Sequence, residues 1–263
     1  MKEWGFCITI ITENSLRRRT GMGGAMAWRS KNGIWLTGSP AQLLHEVGAV
    51  TALVGGGGKT SLMENLAEAA QSRGLRAAAM TTTRIWAPPA YCRNEADCLR
   101  CWQAGQYALC GREAPQPGKL MEPAGELYRF LLERSDLLLV EADGAKGLPC
   151  KAPAEHEPVL PEECGCVVAV MGMDALGRPV EEVCFRTELV CRLLGCGGSH
   201  RLTAEDMARI LLSEEGTRKN VGDRAYCVVL NKCDDDALLE RGKTVAAALA
   251  RRGHTDTVLA RLK

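Results

Sequence analysis

"ALVGGGGKTSLMENLAEAA", Ala52 to Ala70, decides how the chain is read. Four consecutive glycines, Gly55 to Gly58, stand directly before Lys59 and Thr60. Glycine loses more backbone freedom on folding than any other residue, so a compact domain tolerates such a run only where a side chain would block the backbone. Upstream, "AVTALV" (Ala49 to Val54) is a short apolar run that reads as a buried strand. Downstream, Leu62, Leu66 and Ala69 recur at helical spacing, with Glu64, Glu68 and Gln71 between them. A strand, a glycine loop and a helix opening on Lys-Thr-Ser form a phosphate-cradling unit. The amides of Gly55, Gly56, Gly57 and Gly58 and the helix start, with Ser61, face phosphate oxygens; Lys59 reaches the terminal phosphates; the Thr60 hydroxyl meets Mg²⁺.

The match departs from the usual pattern. G-x-x-x-x-G-K-[ST] needs a glycine where this chain has Leu53, and the K-G-G-x-G-K-T variant of the MinD and ArsA ATPases, which the loop resembles, needs a lysine where it has Val54. A glycine-rich turn between strand and helix is the competing reading.

Composition narrows the class. The 263 residues suit one large or two small domains, and 33 Lys plus Arg against 32 Asp plus Glu give no electrostatic case for binding nucleic acid or an anionic membrane. No apolar run approaches the roughly 18 residues of a membrane span. "FCITII" (Phe6 to Ile11) has acidic Glu3 before it, Glu13 after it and no small-residue cleavage site, so a cytoplasmic protein is expected. Residues 1–38 carry little periodic pattern and read as a loosely ordered N-terminal extension, with Met22 or Met26 a candidate start. Residues 39–263 read as a single nucleotide-binding domain.

Thirteen cysteines are scattered, mostly through apparent core, where they act as small hydrophobes. Cys92, Cys98, Cys101 and Cys110 form C-x5-C-x2-C-x8-C, and four thiolates so placed could hold zinc or an iron–sulfur cluster. The spacing matches no common zinc ribbon, so unlinked thiols and no metal are expected. Pro88, Pro89, Pro115, Pro117 and Pro123 break the surrounding segment, which reads as a Cys/Pro-rich insertion at about 87–123 with little regular structure.

The rest alternates. Strands are expected at "LRAAAMTTTRIW" (Leu75 to Trp86), "DLLLVEADGAKG", "CGCVVAVMGMDA", "AYCVVLNKCDDD" and "TDTVLARL". Helices are expected at "GELYRFLLERS", from Val183 to Leu194, from Ala204 to Leu212 behind a Thr203 cap with Asp206, and at "ALLERGKTVAAALARRG". The fold class expected is α/β, a doubly wound, mostly parallel sheet of the phosphate-loop NTPase kind with helices on both faces.

Chemistry gathers at the strand ends, where ligands of such sheets bind. Asp143, with Glu141 as runner-up, follows the third strand and is a candidate Mg²⁺ ligand alongside Thr60; an acidic turn is the bland alternative. Asn231-Lys232-Cys233-Asp234 is N-K-x-D, the pattern by which GTPases recognise guanine, the carboxylate accepting from N1–H and the 2-amino group; otherwise Asp234 caps the next helix. Thr82 and Thr83, in the run Thr81 to Arg84, offer hydroxyls to Mg²⁺ or a γ-phosphate, or are a β-branched strand end. "EADGAKGLPCKAPAEHEPVLP" (Glu141 to Pro161) reads as a functional loop: Lys146 and Lys151 are candidates for phosphate or an anionic substrate, and His156 is a base, a metal ligand or an ordinary surface group.

With "VGGGGKTSLM", "MTTTRIW", "MGMDALGRP", "FRTELVCRLLG", "LTAEDMARILLSEEGTRKNV" and "VVLNKCDD", that loop makes the chain resemble the YqeC proteins from about Ala49 to Asp235. Those are described as accessory factors of selenium-dependent molybdenum hydroxylases. The resemblance implies a protein that binds GTP or ATP and helps mature the selenium- and molybdenum-containing cofactor, or delivers it to a hydroxylase. A phosphate-loop transferase acting on a small cofactor or selenium species, and a non-hydrolytic nucleotide-gated scaffold, are the alternatives. Residues 1–38 and the cysteine segment fall outside the resemblance.

Overall fold

Uninterrupted apolar runs make strands buried on both faces, and the fold grows from them. The structure, a computed structural model, describes residues 25–31, 34–43 and 47–262. Its first half contains β1 (Met26–Lys31), β2 (Ile34–Gly38), α1 (Pro40–Leu43), β3 (Val50–Gly55), α2 (Lys59–Gln71), β4 (Ala77–Thr81) and β5 (Ile85–Trp86). There follow α3 (Glu95–Gln103), β6 (Ala108–Leu109), β7 (Arg112–Glu113), β8 (Lys119–Met121), α4 (Gly125–Arg134) and β9 (Leu137–Glu141). The second half adds β10 (Cys150–Lys151), β11 (Cys166–Gly172), α5 (Val180–Val183), β12 (Cys184–Phe185), α6 (Thr187–Leu194), α7 (Ala204–Leu212), β13 (Ala225–Asn231), α8 (Asp236–Arg251) and β14 (Asp256–Arg261).

Nine strands form one sheet in the order β2-β1-β14-β13-β11-β3-β9-β4-β6. From β14 to β6 every neighbouring pair is parallel; only β1, against β14 and β2, is antiparallel. Side chains alternate between two cores, as the pleat requires. Leu53, Val168 and Val170 pack with Leu62, Met63 and Leu66 of α2 on one face. Ala52, Val54, Ala169 and Met171 pack with Leu131 of α4, Ile210 of α7 and Leu249 of α8 on the other. The α/β class, the mostly parallel sheet and the helices on both faces therefore match the sequence reading. Among the described residues no helix is long and apolar enough to cross a membrane.

Three expectations need correction. The supposed extension is in part a piece of the sheet: β1 pairs Met26 to Lys31 with Arg261 to Asp256, and buried Arg29 is held by a bidentate ion pair with Asp256. The earlier residues 1–24 lie outside those described. The supposed second strand from Leu75 to Trp86 splits, because only Ala77–Thr81 joins the large sheet while β5 pairs with β8 in a small separate one. The insertion is not irregular. It carries α3, capped by Asn94 whose side chain accepts from the Asp97 amide, and three short strands, one of which, β6, extends the main sheet beside β4. The Thr203 cap is present as a full capping box with Asp206.

Candidate functional site

All four glycines are needed for close approach. Gly55, Gly57 and Gly58 have φ of +91°, +80° and +121°, a region side chains rarely adopt. A Cβ on Gly55 would stand 2.3 Å from the Val170 carbonyl oxygen, on Gly56 2.5 Å from that of Leu148, on Gly57 2.2 Å from the Gly172 nitrogen, and on Gly58 2.3 Å from Asn231 Nδ2. The loop is thus wedged between the end of β11, the 144–151 segment and the end of β13. That is why the run exists.

This wedging uses amides that were expected to cradle phosphate. Gly55 N–H donates to both oxygens of Asp143 (3.1 and 3.0 Å), Gly56 N–H to Val170 O (2.8 Å) and Gly57 N–H to Leu148 O (3.1 Å). The donors left without a partner among the described residues are those of Gly58, Lys59, Thr60 and Ser61, the first turn of α2 and its cap. The amides still free to meet an anion are accordingly those of the helix N-terminus with Gly58, and not those of the first three glycines.

Around it runs a chain of alternating charge. Lys59, 5% exposed, donates to Gly55 O at 2.6 Å and pairs with Asp143 Oδ1 at 3.1 Å. Asp143 Oδ2 pairs with Lys151 at 3.1 Å; Lys151, itself buried, also donates to Glu157 Oε2 at 2.6 Å and Gly144 O at 2.8 Å. Glu157 ends in a two-pronged pair with Arg186. Lys59, Lys151 and half-buried Arg186 match Glu141, Asp143 and Glu157 in number, three formal charges of each sign. Burial pushes the Glu157 carboxyl up, but bonds from Arg186 and Lys151 outweigh it and hold it at about 2.

Register explains why the carboxylates meet the loop. In the parallel β3–β9 pair Leu53 lies opposite Glu141, so Asp143, two residues on, comes level with Gly55. The sequence reading put Asp143 first as Mg²⁺ ligand with Glu141 as runner-up, and the structure gives the two carboxylates different partners. Asp143, 2% exposed, is engaged by Gly55 and both lysines. Glu141 instead accepts from the exposed Thr60 hydroxyl at 3.3 Å and stands 4.0 Å from Lys59. Burial raises the Glu141 carboxyl above its ordinary range, Lys59 opposes this, and Asp143 adds to it. A hydroxyl and a carboxylate in contact offer the oxygen ligands that a hard cation takes.

On the other side of β3, two strands along, Asn231 closes β13. Its Nδ2 donates to Gly57 O at 2.7 Å, tying the N-K-x-D segment to the glycine loop. Lys232, with φ +63°, pairs with Asp174 at 2.6 Å, and Asn231 Oδ1 and Asp174 Oδ1 are buried with no partner among the described residues. Orphaned buried acceptors call for an external donor. Asp234 is exposed and makes no side-chain hydrogen bond among the described residues; Asp235, not Asp234, caps α8 by accepting from the Leu238 amide.

The remaining candidates sit farther out. Thr82 donates to Val159 O at 2.8 Å, while Thr83 lies 3.1 Å from Thr81, whose hydroxyl donates to Glu141 O. The run thus braces the acidic strand end, with the Thr82 hydroxyl engaged by Val159 O. Lys146 is exposed, its ammonium 5.0 Å from the centre of the Phe185 ring, and His156 is exposed. Sequence reasoning missed Arg186 and Asp174. Asp174 carried a usable signal, an acid two residues past a buried strand; Arg186 carried none apart from its surroundings.

Comparison with known proteins bears out the family resemblance. The profile of the YqeC family, described as "YqeC protein", matches residues 51–188. The "Uncharacterized protein YqeC" of Escherichia coli (strain K12) is 33% identical over 207 residues, 69% of this chain and 77% of that protein. No solved structure matches the chain significantly.

Proposed function

The chain belongs to the YqeC family; from that premise and the geometry of the glycine loop, we propose that it binds a nucleoside triphosphate with Mg²⁺, GTP in preference to ATP. The observation that carries the reading is the set of free amides from Gly58 to Ser61, flanked by Lys59 and by Glu141 on the adjacent parallel strand. Lys59 would exchange Gly55 O and Asp143 for the terminal phosphates, and the helix start would take the neighbouring oxygens. Thr60 and Glu141 would hold the magnesium ion, which neutralises phosphate charge. Asp143 and Lys151 act as positioning residues, fixing the loop through Gly55 N–H and the ion-pair chain. Asp234, free at the end of β13, would accept from guanine N1–H and the 2-amino group.

The nucleotide would serve the maturation or insertion of the selenium-containing molybdenum cofactor of hydroxylases, the role that the resemblance of the chain implies. One observation favours a second reading, group transfer to an anionic small acceptor. Lys146, exposed and without an ion pair among the described residues, lies against Phe185 beside the Arg186 end of the charge chain, where an anionic group could meet it.

Competition calorimetry with GTP, ATP and XTP in Mg²⁺ tests the proposal. GTP should bind at least tenfold tighter than ATP, because a carboxylate left unpaired beside adenine loses a charge-assisted hydrogen bond worth about 1.5–3 kcal/mol. Asp234→Asn should weaken GTP and shift preference toward XTP, whose 2-oxo group accepts where guanine donates. Equal affinity for GTP and ATP would remove Asp234 from the base site; no binding of either would end the nucleotide reading.

A further inference from the structure

The four cysteines of the insertion, expected from their spacing to be unlinked, meet. Cys92 Sγ is 3.5 Å from Cys101 Sγ and Cys98 Sγ is 3.4 Å from Cys110 Sγ. The sulfurs of Cys92, Cys98 and Cys110 all lie within 4.8 Å of one another, and these three residues are buried.

Two devices bring them there. Cys98 and Cys101 stand three apart on α3 and so share a face. Cys92 and Cys110 belong to two extended segments bridged in parallel: Cys92 N–H donates to Leu109 O at 2.7 Å and Gly111 N–H to Cys92 O at 3.2 Å. Both halves are anchored to the main sheet without using sulfur. Cys110 N–H donates to Ala79 O of β4 at 2.7 Å, and Trp102 Nε1–H to Ala77 O at 2.8 Å. The Trp102 ring also stacks on Phe130 of α4 at 5.9 Å between centroids.

We infer that Cys92, Cys98, Cys101 and Cys110 form a mononuclear structural zinc site. A tetrahedral ion with Zn–S bonds of about 2.3 Å sets its sulfurs about 3.8 Å apart, close to the Cys92–Cys101 and Cys98–Cys110 separations, and Cys101 needs only a small side-chain shift to complete the set. A disulfide would need roughly 2.05 Å. An iron–sulfur cluster holds its cysteine sulfurs farther apart, because inorganic sulfide and several irons stand between them. Cysteines serving only as small hydrophobes have no reason to bring three sulfurs within 4.8 Å of one another and a fourth, that of Cys101, to 3.5 Å from Cys92. Four thiolates complete the shell, leaving no open position for catalysis, and the four thiol protons pass to solvent as the ion binds. The ion clips α3 to the Cys92 and Cys110 segments at the β6 edge of the sheet. This inference stands independently of the nucleotide reading.

Elemental analysis of the full chain purified without chelators tests it. One zinc per chain is expected, lost in the Cys98→Ser, Cys101→Ser double variant and kept in a Cys191→Ser, Cys196→Ser control. Since the first variant risks misfolding, wild-type protein stripped and reloaded with Co²⁺ supplies a second readout, the visible bands of tetrahedral cobalt thiolate. Wild-type protein that takes up neither zinc nor cobalt stoichiometrically, or a double variant that retains zinc, would overturn the site. Stoichiometric iron with a visible chromophore would overturn the assignment to zinc.

Discussion

The glycine-loop corner and the cysteine insertion are built in opposite ways. At the loop, partners come from far along the chain: Gly55 meets Asp143 across 88 residues and Gly57 meets Asn231 across 174. In the insertion the four sulfurs come from one short stretch between Cys92 and Cys110. The long-range site was nevertheless the easier to read, because a glycine run before Lys-Thr has few other uses. The closeness of the short-range sulfurs was not legible, because spacing was compared with known zinc ribbons. Counting residues hides what a helical turn and a bridged pair of strands do to distance.

Glycines separate the two regions most sharply. Gly57→Ala forces a Cβ to 2.2 Å from backbone at φ +80°, so it should cost about 3 kcal/mol or more in urea unfolding, or prevent folding. Gly105, just after α3, has φ +67° with nothing within 4 Å, and Gly105→Ala should cost only the left-handed penalty of roughly 1–2 kcal/mol. Equal costs would erase the contrast between a wedged loop and an open one.

Lys151→Met comes next. It leaves Asp143 and Glu157 each short of a buried cation, and removing one partner of such a pair costs about 3–5 kcal/mol; the remaining Lys59 and Arg186 place this case at the lower end. A fall below about 1 kcal/mol would mean that water reaches the chain of charges.

Acid should act on the loop corner in a defined window. The Glu157 carboxyl sits at about 2 in the folded chain against an ordinary 4.5, a lowered value. Its contribution is therefore complete above pH 4.5 and lost as pH falls from 4.5 toward 2. Glu157→Gln should lower stability at neutral pH and flatten that limb in a pH series of thermal melts. An unchanged limb would assign acid sensitivity elsewhere.

The smallest of these effects concerns binding. Lys59→Ala should weaken triphosphate affinity at least tenfold, about 1.4 kcal/mol, with the fold kept because Asp143 retains Lys151 and Gly55. Unchanged affinity in a folded variant would leave the glycine loop as a structural wedge alone.

Much of the architecture was legible. The apolar runs ending at Gly55, Glu141, Gly172 and Asn231 sit side by side in one parallel sheet, and the Thr203 cap lies where the sequence puts it. What escaped were features whose cause lies outside the local window. The strand Met26–Lys31 owes its burial to Asp256 and its neighbours at the other end of the chain, so Arg29 reads as surface when met alone. Helix α3 was hidden by flanking prolines, although Asn94 with Asp97 three residues on was a readable start signal. The division of labour between Glu141 and Asp143 depends on strand register, which composition does not encode.

The pairing of β1 with β14 has a consequence for biosynthesis. Lys31 finds Asp256 only after another 225 residues are made, a delay of about 10–45 s at roughly 5–20 residues per second. During that interval β3, β9, β4 and β11 can already assemble the glycine-loop corner, while β1 and β2 wait as a hairpin with one edge open. Closure of that side of the sheet is thus a late act, and removing β14 would be felt first at Met26–Lys31, its partner from some 225 residues earlier.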